Sequence, residues 1–147
     1  MQRILPFLLI LFLLSGCGGR EPEIDPAVLG PQLLEQAGFP ETMVPLDGPM
    51  LEALYRIDPD ALESFYAAVS GGATSEELLL LKTAGEEEAK ALRDLLSSHL
   101  EDRRESFAAY LPEEAGKLDG AILAVYGPTV VLCICGSPDT AQALLEG

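Results

Sequence analysis

Tryptophan is absent and histidine occurs once, at His99. A single imidazole excludes zinc sites built from several histidines. Basic side chains are also scarce: 9 Lys and Arg stand against 24 Asp and Glu, for a formal charge of −15. Nucleic-acid binding relies on Lys and Arg to displace counterions from phosphate, so so acidic a chain is excluded from that class. No apolar run is long enough to cross a bilayer. The longest, Ile4 to Leu14, would span about 16 Å as a helix, roughly half a hydrocarbon core. No Gly-x-Ser-x-Gly or Ser-x-x-Lys pattern marks a nucleophile, and no motif implies a cofactor.

Arg3 precedes that apolar run, and Leu14-Ser15-Gly16-Cys17 closes it. Two small residues admit a peptidase to the backbone, and the thiol suits thioether attachment of a diacylglycerol. The segment resembles the lipobox of bacterial lipoproteins. That resemblance implies a signal peptide over residues 1–16, lipid on Cys17, and a place on the extracytoplasmic side of a cell membrane. Gly18 to Glu23 has no apolar period and reads as a flexible tether, followed by a broken helical stretch up to residue 40. Residues 41–147 suffice for one compact domain and are too few for two.

Asp25-Pro26 opens that helical stretch, with Leu29, Leu33, Leu34 and Ala37 on one side and Gly30-Pro31 in its middle. Thr42 to Leu46 is a short strand-like piece. Pro49 to Ile57 suits a short helix with Met50, Leu51, Leu54 and Ile57 at helical spacing, and Asp58-Pro59 caps a further turn. Phe65 to Val69 is rich in strand formers and stops at Gly71-Gly72. Leu78 to Leu81 fits strand or helix; its short length favours a strand paired with residues 64–70. Glu86 to Tyr110 reads as the longest helix, with Ala89, Leu92, Leu95, Leu96, Leu100 and Phe107 in one stripe and three glutamates in its first turn. Pro112 marks a break. Ala121 to Tyr126 and Val130 to Cys135 read as a central hairpin, and Ser137-Pro138 begins a last helix. The expected fold is α+β: an antiparallel sheet of about four strands, in two hairpins, with the long helix and a C-terminal helix packed on it.

Several segments together carry a second resemblance. They are the lipobox and tether, Met43-Val44-Pro45-Leu46 leading to Leu51-Glu52-Ala53-Leu54-Tyr55, the Gly71-Gly72-Ala73 turn, the Glu-rich helix, and Phe107-Ala108-Ala109-Tyr110-Leu111-Pro112. From about residue 41 to 146 the chain resembles an uncharacterised family of small bacterial extracytoplasmic lipoproteins, a domain of unknown function. The resemblance supports a strand at Leu78 to Leu81 and brings no activity or functional residue with it.

His99 lies at the edge of the long helix's stripe with neither a nucleophile nor an orienting carboxylate in a recognisable pattern, so it reads as a structural histidine. Cys133 and Cys135 share one face of a strand, with Cα atoms ~6.6 Å apart, near the upper limit for a disulfide. Small buried side chains are the first reading of the pair, a strained or reversible disulfide the second, and a metal or redox role the third. Asp58-Pro59-Asp60 lacks the spacing of a calcium loop and reads as a cap. Tyr55, Tyr66, Tyr110 and Tyr126 read as core residues with wet hydroxyls.

The expected function is a non-catalytic, lipid-anchored domain that binds a protein or cell-envelope component. Glu76-Glu77, Glu86-Glu87-Glu88 and Glu113-Glu114 would be acidic faces for a partner with a basic patch. The alternatives are a small enzyme or redox accessory using Cys133 and Cys135, and a carrier of a small ligand held between the long helix and the sheet.

Overall fold

The four leucines Leu78 to Leu81 decide the architecture. All four are fully buried, and successive strand residues point to opposite faces. Both faces of the sheet must therefore be covered. The computed structural model describes residues 22–147, so the signal segment, Cys17 and the first part of the tether lie outside the described residues.

The elements run α1 (Pro26–Gln36), β1 (Met43–Pro45), α2 (Gly48–Tyr55), a short 3-10 turn (Pro59–Ala61), β2 (Ser64–Ser70), β3 (Glu77–Lys82), α3 (Glu86–Tyr110), α4 (Pro112–Asp119), β4 (Ile122–Tyr126), β5 (Thr129–Ile134) and α5 (Pro138–Glu146). The strands form one sheet in the order β1-β2-β3-β5-β4, every neighbouring pair antiparallel. The class is α+β, as expected. The sheet has five strands rather than about four, because Met43–Pro45 pairs with Ala68–Ser70 along the β2 edge. So short an extended piece carries no alternation to show whether it is paired.

Leu79 and Leu81 join Ala67, Val130, Leu132 and Ile134 beneath Leu51 and Tyr55 of α2, Leu96, Leu100 and Phe107 of α3, and Leu118 of α4. Leu78 and Leu80 join Val131, Cys133 and Cys135 beneath Leu33 of α1 and Ala141 and Leu145 of α5. The long helix and the C-terminal helix thus sit on opposite faces. Each buried leucine contributes about 1.5–3 kcal/mol.

Helix α1 runs through Pro31 without ending. Asp25 caps it by accepting from the Ala27 amide at 2.9 Å. Gly30 lets the helix lie against β2, since a Cβ there would fall 2.2 Å from the Tyr66 ring. Packing against the sheet outweighs the hydrogen bond that proline cannot donate. The core takes in the chain from Ile24, which is buried, and whose carbonyl accepts from the Thr129 hydroxyl at 3.5 Å.

Pro112, a helix break by sequence, is the first residue of α4, where a missing amide hydrogen is tolerated. The hairpin β4–β5 turns through Gly127, at φ 55°, and Pro128. Only β5 is central; β4 is an edge strand of half-buried residues. Of the stripe on α3, Ala89, Leu96, Leu100 and Phe107 are buried and Leu95 is exposed.

Candidate functional site

At the Glu77 end of β3 the apolar core gives way to a polar cluster. Glu77 points to the same face as Leu79, towards α3, and is only 2% exposed. Taking a lone carboxylate out of water is costly unless donors surround it, and three side chains do so here. The Tyr55 hydroxyl, at the end of α2, donates to Oε2 at 2.8 Å. His99 Nε2 lies 3.0 Å from the same oxygen. Arg103 Nε lies 2.7 Å from Oε1, as a charge contact rather than an aligned hydrogen bond.

The i, i+4 spacing of α3 brings His99, Arg103 and Phe107 to one face. The Arg103 guanidinium carbon sits 4.7 Å from the Phe107 ring centre, and the His99 and Tyr55 rings are 4.8 Å apart. Burial pushes the Glu77 carboxyl up, but hydrogen bonding from His99 and Tyr55 and the charges of His99 and Arg103 outweigh it and hold it below the usual carboxylate value. Burial, then the Glu77 charge, drives the Tyr55 phenol far above its ordinary range. Ionised Glu77 can only accept, so His99 Nε2 carries a hydrogen.

A second cluster lies beside the first. Lys117 of α4 reaches Glu76 Oε1 at 2.8 Å and Glu114 Oε1 at 3.0 Å. Glu114 Oε2 accepts from the Ser75 amide and from its hydroxyl, both at 2.8 Å. Burial pushes both carboxyls up, and Lys117 and their hydrogen bonds bring them below the usual value. Glu76 Oε2 is buried without an aligned donor. Glu76, Glu77 and Glu114 were expected on acidic faces open to a partner. Instead Glu76 and Glu77 are buried and Glu114 is mostly covered, while Glu86 to Glu88 remain at the exposed start of α3.

Over Glu77, His99 and Arg103 lies a cleft of about 280 Å³, walled by Leu54, Val69, Phe107 and Tyr110 and closed on one side by the loop from Ser70 to Thr74. The Ser70 and Thr74 hydroxyls are 2.6 Å apart and bonded to each other. Leu54 and Tyr110 expose 54% and 62% of their surfaces at its rim.

The expectation that His99 is merely structural missed its carboxylate partner, which comes from another element. The helical spacing of His99, Arg103 and Phe107 was the available signal. Cys133 and Cys135 belong to the opposite side of the sheet, among the buried residues beneath α1 and α5, both with free thiols. Hydrogen bonding with Cys135, then burial, pushes Cys133 well up, and the same bond lowers Cys135 to about 7. Among the described residues no group of three or more His, Cys, Asp or Glu could hold a metal ion.

Residues 36–135 match the family model described as a domain of unknown function, DUF4358. The chain belongs to this family. The match to DUF4358 spans the whole sheet and every residue of the cleft, and it ends before α5. No curated protein and no solved structure matches the chain.

Proposed function

We propose that this protein is a non-catalytic binding domain, lipid-anchored through Cys17 on the extracytoplasmic side of a cell membrane, and that its cleft takes a protein or cell-envelope component. The observation that carries the reading is the Glu77 cluster. Tyr55 and His99 hydrogen-bond one buried carboxylate and Arg103 Nε faces it as a charge contact, so side chains from two helices meet at the cleft floor. Its nearby hydroxyls, Ser70 and Thr74, bond each other, and neither is bonded to His99. Such an arrangement favours recognition over turnover.

The anchor rests on the Leu14-Ser15-Gly16-Cys17 segment, and two acyl chains suffice for stable attachment. The exposed Glu86 to Glu88 turn offers a secondary contact for a basic partner. A redox role for Cys133 and Cys135 is opposed by their burial, since a reactive thiol must be reachable.

The test is cross-linking in the producing cells followed by capture of the full chain from membranes. Native protein should take up a fatty-acid probe and retain a component that Leu54→Asp loses; Cys17→Ala should take up no probe. Labelling of the Cys17→Ala variant removes the anchor, and a catalytic activity abolished by one substitution in the cleft removes the binding reading.

A further inference from the structure

Arg103 is the one cleft residue whose charged end is both fixed and unspent. Its Nε is buried against Glu77, and its guanidinium lies over the Phe107 ring, so two contacts set the plane of the group. The side chain nevertheless keeps 31% of its surface. Its two terminal nitrogens make no hydrogen bond to any described residue. A planar fork with its outer edge free matches a carboxylate, which it can hold through two parallel hydrogen bonds.

We propose that the cleft recognises a ligand with a single carboxylate on an apolar body, the carboxylate on Arg103 and the body between Leu54 and Tyr110. This rests on the binding reading above and names its ligand. Three observations favour a carboxylate over a phosphate. The chain is strongly acidic, at −15. The ionised Glu77 already faces Arg103, and Glu76 also lines the cleft. A doubly charged anion would meet that repulsion at greater cost. Leu54, Val69, Phe107 and Tyr110 give one part of the wall an apolar surface. At about 280 Å³ the cleft is near the small end of ligand cavities, which span about 300–1,000 Å³. It fits a small acid or the last residue of a peptide, and these two sources share the same chemistry.

The experiment is calorimetric titration of the purified full chain in detergent. The probes are N-acetylphenylalanine, its amide, inorganic phosphate, and a short peptide ending in phenylalanine with a free or amidated terminus. The acid should bind saturably, and its amide and phosphate at least tenfold more weakly. A free-terminus peptide that binds tighter than the acid identifies a chain end as the source; equal binding identifies a free acid. Arg103→Lys, which keeps the charge beside Glu77, should weaken acid binding about tenfold with an unchanged melting curve. Tyr110→Ala, at an exposed rim position, should weaken acid and peptide alike. Equal binding of acid and amide, phosphate binding as tight as the acid, or a folded Arg103→Lys variant with native affinity would overturn the proposal. Saturable acid binding without membrane anchoring would leave this site standing and remove the lipid-anchored reading. A component captured in a Leu54-dependent way, with no response to any acid or free-terminus peptide, would do the reverse.

Discussion

The two faces of the sheet are equally dry at the centre and differ at one end. Strand β3 gives Leu78 and Leu80 to one face and Leu79 and Leu81 to the other, all fully buried. Beneath α1 and α5 the closure is made by backbone: Gly30 lies under the Tyr66 ring, and Gly136 lies against the Gly38 carbonyl. Beneath α2 and α3 the closure at the Glu77 end is made by long polar side chains. Backbone contact closes the first face at its glycines; side chains gathered on a buried charge line a cleft at the Glu77 end of the second. The cleft is thus the place where the fold is sealed by electrostatics instead of close approach.

The comparison breaks first at the centre. Leu79→Ala and Leu80→Ala should each destabilise by about 2–5 kcal/mol in urea unfolding. Costs for the two variants that differ by more than the width of that range would show that the faces are not equally packed.

Glu77→Gln comes next, at about 2–3 kcal/mol, because His99 and Arg103 lose their counterion; the solvent contact of Arg103 keeps the loss below that of a fully buried pair. The pH dependence follows from the lowered carboxyls of Glu76, Glu77 and Glu114. Their contribution is complete above the ordinary value of 4.5 and disappears as pH falls through their lower folded values. Unfolding midpoints of the native chain should therefore fall in acid below pH 4.5, and those of Glu77→Gln should fall less steeply. A variant with the native slope would remove Glu77 as a source of that dependence.

Gly136→Ala should cost about 1–3 kcal/mol by overpacking, since its Cβ would stand 2.7 Å from the Gly38 carbonyl oxygen. Gly116→Ala, in α4 with nothing within 4 Å of its Cβ, should instead stabilise by about 0.5–1 kcal/mol. Thermal melts of the two variants that move in the same direction would contradict the contrast. At the thiols, Cys133→Ala should cost about 1 kcal/mol, and both thiols should react slowly with a maleimide in the folded chain.

Much of this fold is legible in the sequence because periodicity reports it. The α3 stripe and the Gly127-Pro128 turn follow from local spacing, and the short length of the Leu78 to Leu81 run favours its pairing with β2. Pro31 inside α1 and Pro112 opening α4 read as breaks, because the packing that tolerates the first and the placement that suits the second are tertiary facts. The cluster was hidden for a related reason. Glu76-Glu77 looks like a solvated pair until β3 carries Glu77 beneath α3, and His99 looks unpartnered because its carboxylate lies 22 positions earlier. Nothing local marks a charge for burial.

The place where the chain joins the domain has a directional consequence. Ile24 is fixed beside Thr129, and Glu23 pairs with Lys82 at 3.3 Å, both at the Lys82 end of β3. The cleft opens at the Glu77 end, about 17 Å away along the strand at ~3.4 Å per residue. A leash running from Ile24 back to lipid on Cys17 would hold the domain by its base, with its mouth turned outwards from the bilayer. A quencher carried in the lipid should then dim a fluorophore on Lys82 more than one on Tyr110; equal dimming would mean that the domain lies on its side.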